Sequence, residues 1–132
     1  MAIDKDMHVL IVDDHHTMRR TLADILRAVD MRNVGYAEDG QQAWDKLNEE
    51  TEHPFGLVLL DWDMPVMSGI DLLRMIRNSE QFADLPVIMV TAEADQDNVV
   101  EAVSGGVSHY IVKPYTPNTV YEKIQQVLGD SF

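Results

Sequence analysis

Short apolar runs alternate along the chain with stretches whose apolar residues recur at helical spacing. HVLIV, FGLVLL and PVIMV read as buried strands, because such runs bounded by polar residues fit a parallel sheet covered on both faces. NVGYA and SHYIV add two shorter strands. Between them run helical stripes: Met18, Leu22, Ile25, Leu26 and Val29, then Ile70, Leu73 and Ile76, and last Val120, Ile124, Val127 and Leu128. The start and stop signals agree. Asp39 with Gln42, and Ser68 with Asp71, have capping-box spacing. A helix starts near Asp95 and stops at Gly105-Gly106, while Thr116-Pro117 is a cap with proline at the first helical position. The pattern predicts a single α/β domain over residues 1–132, built of five βα units around a doubly wound five-stranded parallel sheet. No linker, repeat or low-complexity tract predicts a second domain, and nothing is left over for an effector domain.

The polar residues that end these runs carry the chemistry. HVLIV leads into Asp13-Asp14, LVLL into Asp61, PVIMV into Thr91 and YIV into Lys113. The carboxyl ends of parallel strands open into one crevice, where ligands bind, so these residues are expected to converge. Asp13-Asp14 occupies the place of a glycine-rich phosphate loop, and adjacent carboxylates there repel a bare phosphate. Two such charges ~4 Å apart cost about 4 kcal/mol at an effective dielectric of 20, a repulsion that a divalent ion removes. All-oxygen ligands favour Mg²⁺ or Mn²⁺. Asp61 then suits a phosphoryl acceptor, with Lys113 neutralising the phosphoryl oxygens and Thr91 donating a hydroxyl hydrogen bond. Lys113-Pro114 is a candidate cis peptide. His15-His16 invites a transition-metal reading, but adjacent residues do not face each other, so a solvent-facing loop pair is expected.

The bulk numbers narrow the partners. Ten basic against twenty-three acidic residues give a formal net charge of −13, which disfavours nucleic acid and anionic membrane surfaces. There is no cysteine, so disulfides and thiolate metal sites are excluded. The polar N-terminus and the absence of a long apolar run predict a cytoplasmic protein.

Asp13-Asp14, DWDMPVMSG around Asp61, VTAEA around Thr91 and YIVKP around Lys113 resemble the receiver domain of two-component response regulators. TMRR at 17–20, AEDG at 37–40, Trp62 and Tyr110 resemble the CheY-type chemotaxis members in particular. The resemblance covers essentially the whole chain. It implies the flavodoxin-like strand order 2-1-3-4-5, which the pattern alone does not give. It also implies that Asp61 accepts a phosphoryl group from a histidine kinase of the CheA type. Asp14, Asp61 and the main-chain carbonyl of Asp63 would bind Mg²⁺, with Asp13 acting through water. Thr91 and Tyr110 would form the switch pair. Asp63 and Glu93 would bear on the lifetime of the phosphoryl group. Ala94, Val99, Tyr110, Val112, Tyr115 and Lys123 match the family's partner-binding face. Asp95 and Gln96 stand where chemotaxis members commonly carry lysines.

The function expected is therefore a monomeric switch whose only chemistry is self-phosphorylation and autodephosphorylation. Its output would be contact with a flagellar motor switch protein or another protein target, with a phosphatase as a further partner. A phosphate sink or relay intermediate is the alternative output. An enzyme reading also exists, since LVLLDWD resembles the Asp-x-Asp signature of haloacid-dehalogenase-type phosphatases. There, however, the acidic pair comes last in the chain, and here no cap segment is present to hold a substrate.

Overall fold

The computed structural model describes residues 3–129. Five parallel strands alternate with five helices: β1 (His8–Val12), α1 (His16–Arg27), β2 (Val34–Ala37), α2 (Gly40–Leu47), β3 (Phe55–Leu60), α3 (Gly69–Asn78), β4 (Val87–Thr91), α4 (Gln96–Ser104), β5 (His109–Val112) and α5 (Pro117–Leu128). The strands lie in the order β2-β1-β3-β4-β5, as the resemblance implied. No helix among the described residues is long and apolar enough to cross a membrane.

Two apolar cores form because successive strand residues point to opposite faces. Val9, Ile11, Leu57, Leu59, Ile88 and Val90 meet Leu22, Leu26, Val120 and Ile124 of α1 and α5. Leu10, Val12, Val58, Leu60, Val87 and Met89 meet Ala43, Leu47, Leu72, Leu73 and Ile76 of α2 and α3. Full burial of each such aliphatic side chain contributes roughly 1.5–3 kcal/mol, so the central strands are the rigid base of whatever sits at their ends.

The caps follow the sequence with one exchange of partner. Asp39 accepts from the Gln42 amide at 2.8 Å, but Gln42 Oε1 accepts from Glu38, one residue before the cap. Ser68 accepts from Asp71, Asp95 from Asn98 and Thr116 from Thr119. Gly105 ends α4 and Gly106 follows at φ 94°, the left-handed region that glycine enters without a Cβ penalty. Val29 lies beyond the end of α1 and packs on the core from the turn that follows. The Lys113-Pro114 bond is cis.

Candidate functional site

The strand ladder continues past the strand ends and fixes the polar residues in register. The Asp13 amide donates to Ala37, that of Asp61 to Val12, and that of Lys113 to Thr91. Asp13, Asp61 and Thr91 are thereby buried at one end of the sheet. Lys113 Nζ lies 3.0 Å from Asp13 Oδ2 and 3.8 Å from Asp61 Oδ2. The predicted convergence is thus seen for the acidic pair, Asp61, Thr91 and Lys113.

Asp61 holds its charge reluctantly. Burial raises its pKa above the usual carboxylate range, and the neighbouring Asp13 carboxylate adds to this. Lys113, the Trp62 amide at 2.8 Å and the Thr91 hydroxyl work the other way without cancelling it. A carboxylate so placed is stabilised by any further cation that reaches it. One ligand atom each from Asp13, Asp14, His15 and Asp61 lies within 4.8 Å of the others. The donor set therefore fits a divalent ion in charge.

Three supports of the site were not apparent in the sequence. Arg19 Nη1 donates to the Asp13 carbonyl at 2.7 Å and its other terminal nitrogen lies 3.7 Å from Glu38, tying α1 to the acidic loop. Gly69 donates its amide to the Trp62 carbonyl at 2.8 Å, and a Cβ there would lie 2.0 Å from the Asp61 carbonyl oxygen. The third is His15. Expected to be only a solvent-facing residue, it is 67% exposed, yet its Nδ1 lies 3.2 Å from Asp13 Oδ1 and 3.0 Å from Asp14 Oδ1. His16 diverges, as the spacing argument required, and lines a groove with Arg19 and Arg20 of α1 and Tyr36 of β2.

Glu93 joins the pocket to the far side of the sheet. Its carboxyl shares a hydrogen bond with Asp63, which together with the Asp63 charge raises its pKa. Its carboxylate also accepts from Asn98 of α4 at 3.0 Å, and its carbonyl accepts from the Tyr110 hydroxyl. Ala94, Val99 and Val112 belong to the same α4–β5 side as Tyr110. That side also exposes Val100 and Val103 of α4, two residues the sequence reading passed over. Tyr115 parts from this group. It packs on the α1–α5 core and lines a groove with Met18, Thr21, Lys113 and Pro114. Its buried hydroxyl has no hydrogen-bond partner among the described residues. Lys123 is half-buried on α5.

Burial, reinforced by Glu93 and Asp95, pushes the Tyr110 phenol up to about 12. Burial and Asp13 push Tyr115 up to about 12. A phenol whose pKa is higher folded than unfolded stabilises the fold fully below about pH 10, its unfolded value. That contribution is lost as pH climbs through the folded value of about 12. An alkaline titration by phenolate absorbance should show two of the four tyrosines ionising near pH 12, one of them removed by Tyr110→Phe. Complete ionisation of all four near pH 10 would refute the assignment.

With this geometry in view, the comparisons with known proteins are informative. The response regulator receiver domain family matches residues 9–125, and the chain belongs to that family. It is a two-component response regulator receiver, a class of signalling switches that bind Mg²⁺ through an aspartate cluster. Chemotaxis protein CheY of Pseudomonas aeruginosa is 45% identical over 121 residues, covering 92% of this chain and 95% of that protein. Chemotaxis protein CheY-3 of Vibrio cholerae is 44% identical over 125 residues, covering 95% and 94%. Among solved structures, the chemotaxis response regulator CheY4 of Vibrio cholerae superposes with a TM-score of 0.82 at 29% identity, over 92% of this chain and 98% of that one.

Proposed function

We propose that this receiver is a phosphorylation switch in which Asp61 takes a phosphoryl group from a histidine kinase. The observation that carries the reading is Lys113, whose ammonium reaches both Asp13 at 3.0 Å and Asp61 at 3.8 Å. An Asp61 oxygen forms the new O–P bond as the P–N bond of the donor phosphohistidine breaks, and the leaving imidazole nitrogen takes a proton. Lys113 and the Thr91 hydroxyl receive the transferred oxygens. Such transfer rests on positioning and charge neutralisation, which fixed side chains at strand ends supply. Asp14, Asp61 and the Asp63 carbonyl, with Asp13 behind them, would hold Mg²⁺, and the ion when bound neutralises the developing negative charge.

The output is a protein contact on the α4–β5 side, where Thr91 and Tyr110 form the switch pair. The relatives' chemotaxis names support a cytoplasmic regulator of a flagellar motor switch protein, phosphorylated by a CheA-type kinase and reset with or without a phosphatase. A sink or relay reading has its own support. α4 carries Asp97 and Glu101 with Asp95 at its cap and no basic residue, which disfavours an acidic motor segment. The test is a titration with beryllium fluoride and Mg²⁺, read by Trp62 fluorescence over the Trp44 background. A Mg²⁺-dependent change that Asp61→Asn abolishes is expected. Tighter binding of a motor-switch peptide in the same samples would assign motor control, and unaltered binding would assign the sink or relay. A wild type that does not respond would overturn the acceptor role.

Asp63 and Glu93 are proposed to set the lifetime of the phosphoryl group, their paired carboxyls orienting or repelling the hydrolytic water. Decay of the phosphorylated protein should change by about threefold or more in Asp63→Asn. Equal decay rates would remove that role.

A further inference from the structure

We infer that His15 is a nitrogen ligand of the metal site, giving this pocket a preference for Mn²⁺ over Mg²⁺ beyond that of its carboxylates alone. The inference rests on the reading of the pocket as a metal site and concerns which ion that site selects.

Position supports it first. His15 caps α1, yet its side chain makes no capping hydrogen bond. The Asp13 carboxylate accepts the His15 amide at 2.9 Å, which fixes the turn into the helix. The ring is instead turned back over the two carboxylates, with Nδ1 3.0 Å from Asp14 Oδ1 and 3.2 Å from Asp13 Oδ1. Neighbouring ligands of an octahedral ion with bonds near 2.1 Å stand about 3.0 Å apart. The separation from Asp14 matches an edge of such an octahedron, while Asp13 stands behind it as a hydrogen-bond partner. One nitrogen of the ring also falls within 4.8 Å of carboxylate oxygens of Asp13, Asp14 and Asp61, so the ring stands beside the whole cluster and not merely one neighbouring carboxylate.

Chemistry supports it second. Mg²⁺ takes oxygen and parts reluctantly with its water, whereas imidazole suits the transition metals. An imidazole added to the oxygen ligands of this site leaves the affinity for Mg²⁺ almost unchanged and raises that for Mn²⁺. Coordination needs the Nδ1 lone pair, so the bound form carries the ring proton on Nε2. That nitrogen is free to hold it, since the ring's hydrogen bonds to other residues are made through Nδ1. At 67% exposure the ring also swings without disturbing the core.

The experiment is a direct titration of the full chain with MnCl₂ or MgCl₂, read by Trp62 fluorescence and, for Mn²⁺, by pulsed EPR. Wild type should show nitrogen coupling to the bound Mn²⁺. His15→Ala should lose that coupling and about tenfold of its Mn²⁺ affinity, with less than about a twofold change for Mg²⁺. His16→Ala, whose ring lies on the α1 groove, should match wild type. If both metals bind but the coupling is absent, or survives in His15→Ala, His15 only hydrogen-bonds its neighbours and the inference is wrong, while the metal site stands. If neither ion binds wild type, the metal reading of the pocket fails and the inference with it.

Discussion

Replacing Gly69 with alanine is expected to destabilise the protein by roughly 3 kcal/mol, at the upper end for an overpacked site. The added Cβ would sit 2.0 Å from the Asp61 carbonyl oxygen, 2.9 Å from the Asp61 carbonyl carbon and 3.0 Å from the Trp62 Cα. All three are backbone atoms, so no side-chain rotation relieves the clash. Gly69 also sits at the first turn of α3, where its amide bonds to the Trp62 carbonyl. Either α3 moves off the sheet, losing the packing of Leu72, Leu73 and Ile76, or the segment bearing Asp61 moves. Urea denaturation should show a lower midpoint with an unchanged slope. The response to beryllium fluoride should weaken by about tenfold or more, because a displacement near 1 Å at a reacting group has that scale of effect. A variant with the wild-type midpoint and response would mean the segment after Asp61 yields freely.

Lys113→Met should have the second large effect and a divided rescue. The ammonium is the cation that faces two buried carboxylates, at 3.0 Å and 3.8 Å. Removing one partner of a buried pair leaves uncompensated charge. We expect a loss of about 2–3 kcal/mol in the absence of metal, below the full buried value because Lys113 retains some contact with solvent. Mg²⁺ supplies positive charge to the same carboxylates, and an ion at a hundred times its dissociation constant stabilises the folded form by about 2.7 kcal/mol. Stability should therefore recover with Mg²⁺. Uptake of the phosphoryl mimic should stay depressed by about 100-fold, since the ion does not replace the ammonium at the phosphoryl oxygens. Equal stability of variant and wild type without metal would show that Lys113 is not the counter-charge of the pocket.

The fold was largely legible because each strand is a short apolar run and four of the five helices begin at a cap that the chain spells out. Asp61, Thr91 and Lys113 could be placed at one end because they end such runs, and parallel strands share that end. The strand order was not legible from the pattern, since any order of five covered strands gives the same runs. Gly69 was hidden for a different reason: its necessity lies in space beside Asp61, eight positions earlier in the chain. His15 faces solvent as expected, but neighbour spacing predicts only that two adjacent rings diverge. Which of the two turns back over the carboxylates depends on the path of the loop. Arg19 and Tyr115 were equally non-local, one reaching across to a main-chain carbonyl and the other folding onto α1 and α5.

Glu93 has a consequence for any partner of this protein. Through one residue the segment after β4 touches Asp63 near Asp61, Asn98 on α4 and Tyr110 on β5. A protein that grips α4 and β5 in one arrangement of this segment necessarily alters how well the pocket holds its own ligand. The factor is the same as that by which the pocket's ligand alters the grip. Listening and reporting are then one equilibrium viewed from two ends.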